Sequence, residues 1–292
     1  MAGVSLVLDG KVVLVTGGSR GIGAETVRLF LQAGARVAFS YRQARERAEA
    51  LQAEYATAGQ GEPGHGDLSV APVRCLAIRQ QLSTPADGRA LVTAAVAAFG
   101  RLDVLVVNHG IWPTQDVPIS AMTEQQWRRT LDVNLDSVFG LVQAAVTQME
   151  AQIQAQKEKP AGASAAQDKL SSDVTGHIVL ISSTAGQRGE ANHADYAVTK
   201  GALISLTKSL SSELASSGIR VNCVAPGWVA TDMSAPALGD PEVGAKIKAA
   251  IPVGRVASTR EIAGPVLFLC TPLAAFISGE VLNVNGGSVL MG

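Results

Sequence analysis

The side chains best suited to chemistry in this sequence are a tyrosine and a lysine four positions apart, Tyr196 and Lys200. An i, i+4 spacing on a helix places both side chains on one face, one turn apart. A nearby ammonium favours the phenolate, so Lys200 would lower a tyrosine pKa that is ordinarily about 10. The pair predicts an acid–base catalyst, although surface helices also carry tyrosine and lysine at this spacing by chance.

A serine at the end of an apolar stretch supplies a second chemical group. Ser183 follows the run His177-Ile-Val-Leu-Ile181 and precedes Tyr196 by thirteen residues. Open α/β sheets bind ligands at the carboxyl ends of their strands. A hydroxyl at that position can donate a hydrogen bond to a substrate carbonyl and stabilise the charge of a developing alkoxide.

A glycine-rich segment near the start of the chain predicts a phosphate-binding turn. The segment Thr16-Gly-Gly-Ser-Arg-Gly-Ile-Gly23 follows an apolar run and precedes a helical pattern. Its glycines permit a tight turn, and the helix behind it presents backbone N–H groups to an anion. The same glycines would also suit any strand-to-helix turn; the position between strand and helix favours binding. The predicted cofactor contacts here are Gly17, Ser19, Arg20, Gly21, Ile22 and Gly23.

The end of the second strand indicates which dinucleotide binds. Sites for NAD usually carry an acidic residue there, whereas this chain has Phe39-Ser-Tyr-Arg42 without a carboxylate. Arg42, with Arg20 and the Ser40 hydroxyl, could form charge-assisted bonds to a 2′-phosphate. NADP(H) is therefore favoured over NAD(H), with Ser40, Tyr41 and Arg42 as contacts. The alternative is that Arg42 is a solvated loop charge.

The elements that must position these groups alternate between short apolar strands and longer helices. The predicted strands cover residues 11–16, 36–41, 73–79, 104–107, 177–181, 220–224 and 281–284. The predicted helices cover residues 21–33, 43–58, 85–99, 123–149 and 194–216. Nearly all-apolar strands are typical of a parallel sheet with helices on both faces. The pattern predicts an α/β fold, with residues 1–292 forming a single Rossmann-type domain around a doubly wound parallel sheet of about seven strands.

Two stretches interrupt the alternation. Residues 59–72 are rich in glycine and proline, and residues 151–175 begin as a polar helical extension and become rich in Ala, Ser and Gly. Both are interpreted as surface insertions, and the second as an insertion rather than a substrate lid. His65, in the first stretch, has no second ligand-like neighbour, so no metal site is expected there.

The composition restricts the classes of partner. A formal net charge of −1 over 292 residues offers no electrostatic footprint for nucleic acid or an acidic membrane. There is no uninterrupted run of about 18 apolar residues, and the first residues do not resemble a signal peptide. Cys75, Cys223 and Cys270 lie far apart, which favours reduced thiols, no metal and a cytoplasmic protein.

The ordered set of motifs resembles the short-chain dehydrogenase/reductase family. Besides the glycine turn and the Ser183–Tyr196–Lys200 set, the family's Asn-Ala-Gly motif is similar to Asn108-His109-Gly110, with His in place of Ala. Further matches are Asn134, Pro226-Gly227 with Val229 and Thr231, and the tail over residues 278–287.

The resemblance implies a role for each matched residue. Tyr196 would give or take the proton of the carbonyl oxygen, Lys200 would lower its pKa and bind the nicotinamide ribose, and Ser183 would polarise the carbonyl. Asn134 would anchor a water in a proton relay, and hydride transfer would belong to the cofactor. Asn108, Gly110, Pro226, Gly227, Val229 and Thr231 would contact the cofactor. Gln81 would replace the usual Asp at the adenine. His109 would either affect cofactor packing or titrate near neutral pH, or merely fill space.

The family resemblance is closest to 3-oxoacyl-acyl-carrier-protein reductases and implies a homotetramer built on the two long helices and the last strand. The substrate would be a small carbonyl compound or an acyl-thioester ketone, in a pocket formed by residues 184–193, 112–113 and 228–252. Alternatives are a dehydrogenase of a small alcohol, sugar or polyol, an epimerase or dehydratase of nucleotide sugars, and a non-catalytic NADP(H)-binding regulator. The intact Asn134, Ser183, Tyr196 and Lys200 argue against the regulator, and the absence of a larger C-terminal domain argues against the epimerase.

Overall fold

The seven strands of the computed structural model, which describes residues 6–56, 73–158 and 174–290, form one parallel sheet. The strands are β1 (Val12–Val15), β2 (Arg36–Tyr41), β3 (Cys75–Arg79), β4 (Val104–Val107), β5 (Gly176–Ile181), β6 (Ile219–Pro226) and β7 (Val281–Val284). Their order is β3-β2-β1-β4-β5-β6-β7. This is the order of a doubly wound Rossmann-type sheet, so the predicted fold class is confirmed.

Helices connect the strands and cover the sheet. They are α1 (Gly21–Gln32), α2 (Arg45–Ala56), α3 (Pro85–Phe99), α4 (Glu124–Leu131), α5 (Ser137–Lys157), α6 (Thr184–Arg188), α7 (Ala194–Leu214), α8 (Ala235–Gly239), α9 (Pro241–Ala249) and α10 (Thr259–Phe268). Several begin at residues that suit helix starts. Thr84 and Ser258, for example, form capping boxes with Asp87 and Glu261, which satisfy backbone N–H groups of the first turn.

The two faces of the sheet carry separate hydrophobic cores. Successive side chains of a strand point to opposite faces, so Val13 and Val15 pack with α1 and α10, whereas Val12 and Leu14 pack with α3 and α5. All four residues of β1 are buried. This two-sided burial explains why the strands are apolar throughout instead of alternating with polar residues.

The sheet topology fixes where a ligand can bind. The chain winds from β1 towards β3 on one side and then crosses to β4 on the other. Crossovers leave in opposite directions from β1 and β4, and the crevice between them at the carboxyl edge is where this class of sheet binds ligands. The glycine turn follows β1, residues 108–110 follow β4, and Ser183 follows β5.

Several predicted boundaries differ from those observed. The helix expected over residues 123–149 is interrupted by a π-helical turn, Asp132–Asp136, and it continues as α5 to Lys157. Residues 184–188, for which no helix was predicted, form α6, because Ser183 caps a short helix there. The proposed insertions fall mostly on residues 57–72 and 159–173, which lie outside the described residues. Within the described ranges, no helix is long and apolar enough to cross a membrane, and no group of three His, Cys, Asp or Glu side chains could hold a metal.

Candidate active site

The glycine turn packs so closely that larger residues would not fit. A Cβ on Gly23 would collide with the carbonyl oxygen of Gly17, and one on Gly18 would collide with the Phe39 ring. Gly17 and Gly21 adopt positive φ angles of 66° and 56°, a region that favours glycine. Helix α1 starts at Gly21 with no side-chain cap and no acidic residue in its first turn. Its exposed N–H groups and positive dipole end are therefore suited to a phosphate.

Asn108 and Thr16 hold the turn against strand β4. Asn108 Nδ2 donates to the carbonyl oxygens of Thr16 at 3.0 Å and Gly17 at 3.3 Å. The Thr16 hydroxyl oxygen accepts the backbone N–H of Asn108 at 2.9 Å. Asn108 thus joins the two sides of the crevice, which explains why this position needs a carboxamide.

Three arginines gather near the end of β2. Arg20, Arg42 and Arg47 all line the cleft, and Ser40 Oγ accepts the backbone N–H of Gly17 at 3.1 Å. Asp232 lies among them, with its Oδ2 atom 2.5 Å from Arg47 Nη1 and 3.6 Å from Arg20 Nη1. The region therefore carries excess positive charge despite one neutralising carboxylate. Arg47 and Asp232 were missed in the sequence, where they lie 185 positions apart.

Ser183, Tyr196 and Lys200 converge on the same cleft. Ser183 stands at the N-terminus of α6, where its hydroxyl accepts the backbone N–H of Ala185 at 3.1 Å. A hydrogen bond links Ser183 to Tyr196. The Lys200 ammonium donates to the backbone oxygen of Ile181 at 2.8 Å, and its Nζ lies 5.7 Å from the centre of the Tyr196 ring. The two side chains thus face one crevice, as the i, i+4 spacing predicted.

The electrostatics differ from the expectation that Lys200 makes Tyr196 acidic. Burial raises the pKa of Tyr196 to about 12, which outweighs the lowering by Ser183, and the charge of Glu190 raises it further. Burial also lowers the pKa of Lys200 to about 8. The correction has a physical reason: removal from water disfavours both charged forms, and the ammonium is directed at Ile181 instead of the phenol oxygen.

Asn134 occupies the π-helical turn behind the cleft and is almost fully buried. Its Oδ1 accepts the backbone N–H of Ile111 at 2.8 Å, and its Nδ2 donates to the Ile111 oxygen at 2.9 Å. Nδ2 also lies 3.2 Å from the Thr199 hydroxyl. The π turn directs this carboxamide between the segment after β4 and helix α7. Such turns are frequent at functional sites.

The cleft has a volume of about 630 Å³ and includes most of the predicted site. The predicted residues along its wall are Gly17, Ser19, Arg20, Gly21, Ile22, Ser40, Tyr41, Arg42, Asn108, Gly110, Ser183, Tyr196, Lys200, Pro226, Gly227, Val229 and Thr231. Gly23 and Asn134 lie just behind it. The placement of Gln81 needs correction: its Nε2 donates to Ser83 Oγ at 3.3 Å, and its neighbours Gln80 and Leu82 line the cleft instead. One residue of register along an extended segment reverses the direction of the side chain.

The end of the cleft away from the glycine turn is lined by aromatic side chains and by two charged ones. The Trp112 ring stacks on His193 at a centroid distance of 4.9 Å and meets Trp228 edge-on at 6.1 Å. Arg188 and Glu190 also line this end, and burial raises the pKa of the Glu190 carboxyl. Residues 112, 228 and 184–193 were all predicted to contribute to the substrate pocket, and of these Trp112, Trp228, Arg188 and Glu190 line the cleft.

The fold and this cleft together define a dinucleotide-binding oxidoreductase. A sequence profile for short chain dehydrogenases matches residues 11–157, and a second, described as enoyl-(acyl carrier protein) reductase, matches residues 160–288. The chain belongs to the short-chain dehydrogenase/reductase family, which confirms the resemblance found in its motifs.

Relatives and solved structures agree with this assignment. The chain is 36% identical over 277 residues to a 3-oxoacyl-(acyl-carrier-protein) reductase of Staphylococcus aureus (strain Mu50), covering 95% of this chain and 97% of the relative. It is 35% identical over 284 residues to the enzyme of that description from Vibrio cholerae, covering 97% and 99%.

Two crystal structures illustrate the likeness in three dimensions. One from Beutenbergia cavernae, proposed to be an NAD(P)-dependent gluconate 5-dehydrogenase and holding NADP, superposes with a TM-score of 0.80 at 31% identity, covering 98% of this chain and 99% of that chain. A blue fluorescent protein from a metagenomic library in complex with NADPH superposes with a TM-score of 0.77 at 33% identity, covering 97% and 99%.

Proposed function

We propose that this protein is an NADP(H)-dependent carbonyl reductase whose substrate is a 3-oxoacyl thioester or a related ketone. The observation that carries the proposal is the convergence of Ser183, Tyr196 and Lys200 on one cleft that continues to the glycine turn. A cleft of this kind can hold an extended cofactor at one end and a carbonyl compound at the other. The substrate assignment is supported by the relatives described as 3-oxoacyl-(acyl-carrier-protein) reductases.

The residues present fit a dinucleotide phosphate. Glycines whose Cβ would collide with backbone or ring atoms leave room for a pyrophosphate beside the uncapped start of α1. Arg20, Arg42 and Arg47 would hold a 2′-phosphate, which a guanidinium recognises in a bidentate manner. Pro226, Gly227, Val229 and Thr231 would border the nicotinamide. When bound, the cofactor supplies the hydride.

The chain's own residues would then handle the carbonyl oxygen and its proton. Ser183 and Tyr196 donate hydrogen bonds to this oxygen and polarise the carbonyl. Because the pKa of Tyr196 is about 12, its hydroxyl is protonated at neutral pH and is ready to give a proton in reduction. Lys200 keeps positive charge beside the tyrosine below pH 8 or so. Asn134 holds the segment after β4 against α7 and so maintains the distance between the two halves of the site.

A second candidate substrate class is a polyol or sugar acid. Arg188 and Glu190 line the substrate end of the cleft, and they would pair with carboxylate and hydroxyl groups better than with an acyl chain. The structural neighbour proposed to be a gluconate 5-dehydrogenase supports this alternative. The aromatic side chains Trp112 and Trp228 favour the acyl ketone, because they offer a large apolar surface.

The proposed assembly is a cytoplasmic homotetramer. Phe139 on α5 and Val198 on α7 leave 55% and 49% of their surface exposed, although both are apolar. Exposed apolar side chains on α5 and α7, which pack on the same face of the sheet, are suited to burial against a second copy of the chain. We further propose that residues 1–292 act as one domain.

A substrate panel with NADPH tests the proposal. NADPH oxidation is followed with a 3-oxoacyl thioester, a simple ketone, a quinone and a keto sugar acid, each also with NADH. The proposal expects the highest kcat/KM for the thioester with NADPH. Preference for the sugar acid would support the second candidate. Tight NADPH binding without oxidation by any carbonyl would indicate a regulator and would reject the enzyme.

A further inference from the structure

His109 connects the glycine turn to the π-helical turn. Its Nδ1 lies 2.8 Å from Thr16 Oγ1, and its Nε2 lies 2.9 Å from Ser137 Oγ and 3.1 Å from the Val133 oxygen. A Cβ on Gly17 would come within 3.2 Å of the His109 backbone, so the residue packs directly on the turn. One imidazole therefore contacts both sides of the crevice at the point where the strand order reverses.

The neighbouring hydrogen bonds determine the tautomer. The Ser137 hydroxyl donates to the Val133 oxygen at 2.8 Å, so Ser137 Oγ can only accept from His109. Thr16 Oγ1 already accepts the backbone N–H groups of Asn108 and His109, so its own proton is available to an acceptor. Of the two acceptors within its reach, His109 Nδ1 at 2.8 Å is much closer than the Val106 oxygen at 3.4 Å. With the two hydroxyl protons placed in this way, the ring is neutral and carries its proton on Nε2. Burial, together with the charge of Lys200, lowers the pKa of His109 to about 3, so the ring does not titrate near neutral pH.

The imidazole acts on the segment that carries Asn134. Val133, whose oxygen faces Nε2, directly precedes Asn134 in the π turn. On the other side, a Cβ on Gly110 would lie 3.2 Å from Asn134 Oδ1 and 3.5 Å from Lys200 Nζ. His109 is therefore one residue from the place where the asparagine and the lysine meet.

We propose that His109 is a positioning residue for catalysis. Its neutral ring donates from Nε2 to the π turn and accepts at Nδ1 from Thr16, which holds Asn134 in register with Lys200 and the glycine turn. This inference rests on the proposed reductase function. It assigns no proton transfer to His109, whose ring keeps one protonation state throughout.

Removal of the ring leaves no neighbour without a partner, which makes the site testable. Without His109, Ser137 still donates to Val133, and Thr16 Oγ1 can turn towards the Val106 oxygen at 3.4 Å. An alanine variant should therefore fold. His177 provides a matched control, since it is also buried in a way that lowers its pKa, yet it lies on β5 and does not line the cleft.

Kinetics of His109→Ala, His109→Asn and His109→Gln test the proposal. Glutamine places an amide N–H near the Nε2 position, whereas asparagine does not reach it. We expect kcat to fall about 10-fold in the Ala and Asn variants, a change of about 1.4 kcal/mol, which is the size of one net hydrogen bond. The dissociation constant of NADPH should change less than about 3-fold. The solvent deuterium isotope effect on kcat should increase, because proton transfer to the carbonyl oxygen then limits the rate more strongly. His109→Gln should recover most of kcat, and His177→Gln should leave kcat and the isotope effect unchanged.

Each other outcome rejects the inference. A His109→Ala variant with unchanged kcat would show that the ring positions no catalytic group. If only its NADPH affinity were altered, the ring would serve cofactor packing alone. A Gln variant as slow as the Ala variant would exclude the Nε2 donor. A second readout needs no substrate: nitrogen NMR of the histidine rings should show the neutral Nε2–H form of His109 between pH 6 and 9, as the hydrogen bonds require. Observation of a charged or Nδ1–H ring would overturn the proposal even if the protein reduces no carbonyl.

Discussion

Lys200 lies one helical turn from Tyr196, yet its ammonium is bonded to the backbone oxygen of Ile181 at 2.8 Å and not to the phenol. The phenol is bonded to Ser183 instead, and burial raises the pKa of Tyr196 to about 12. The tyrosine is therefore a protonated donor in this state of the protein. This state is suited to reduction, in which the carbonyl oxygen gains a proton.

Replacement of Tyr196 by phenylalanine should abolish turnover and leave cofactor binding intact. The variant loses only the hydroxyl that gives the proton, so kcat should fall by about 10²–10⁴-fold. Titration calorimetry with NADPH should give the wild-type affinity. Tyr55→Phe on α2, outside the cleft, is the matched control and should keep full activity. A Tyr196→Phe variant that retains activity would contradict the assignment.

Replacement of Lys200 by methionine should stabilise the fold at neutral pH while it removes activity. The fall in the Lys200 pKa from 10.5 to about 8 corresponds to ~3 kcal/mol of unfavourable charge burial. Allowing about 1 kcal/mol for the lost hydrogen bond to Ile181, we expect the free energy of unfolding at pH 7 to rise by ~2 kcal/mol. Lys208→Met, at an exposed position of the same helix, should change the stability little.

Comparison of Lys200→Met with the wild type also predicts how stability depends on pH. Between pH 8 or so and 10.5 the unfolded chain binds the Lys200 proton more tightly than the folded protein. Stability rises with pH wherever the unfolded state binds more protons, so the wild type gains stability across this window relative to Lys200→Met. Urea melts at several pH values should show that the difference in the free energy of unfolding between the wild type and Lys200→Met becomes smaller as the pH rises. A constant difference would indicate that Lys200 keeps an ordinary pKa.

Replacement of Arg42 by alanine should weaken NADPH binding selectively. Hydrogen bonds to a charged group contribute about 1.5–3 kcal/mol, so the dissociation constant of NADPH should rise about 10- to 100-fold. The affinity for NADH should not change, because NADH lacks the 2′-phosphate. Arg45→Ala is a close control, since Arg45 is bound to Glu49 at 2.6 Å and does not line the cleft. Equal losses for both cofactors would mean that Arg42 does not select the phosphate.

Two glycine-to-alanine substitutions should have different effects, one on NADPH binding and the other on the stability of the fold. A Cβ on Gly23 would displace the Gly17 carbonyl and the Asn108 side chain, so Gly23→Ala should eliminate NADPH binding. Gly264, inside α10, has open space around its Cβ position. Alanine there should raise the free energy of unfolding by ~0.5–1 kcal/mol, because it lowers the entropy of the unfolded chain. Calorimetry and thermal melts measure both effects.

A single charge on the exposed helix face should disrupt the proposed tetramer. Phe139→Glu introduces a carboxylate at an apolar position of α5 that would be buried between copies, which costs several kcal/mol. Sedimentation should report four times the 30.1 kDa chain mass for the wild type and a smaller species for the variant. Val243→Glu on α9, also at an exposed apolar position, should leave the mass unchanged. A wild-type monomer would reject the tetramer.

The sequence by itself determined the features that depend on local spacing. Apolar strands bounded by turn residues predicted the parallel sheet, because burial on both faces leaves a continuous apolar run. The i, i+4 spacing placed Tyr196 and Lys200 on one face, and the glycine segment marked the turn after β1. Each of these features depends on only a few consecutive residues.

Only the tertiary structure decided the properties that depend on distant neighbours. The pairing of Arg47 with Asp232 joins positions 185 residues apart, and the register at Gln81 depends on how the chain leaves β3. The raised pKa of Tyr196 and the lowered pKa of His109 follow from burial by several elements at once. Removal of a side chain from water depends on the whole packed molecule. Spacing along the chain therefore cannot give the sign or the size of these pKa shifts.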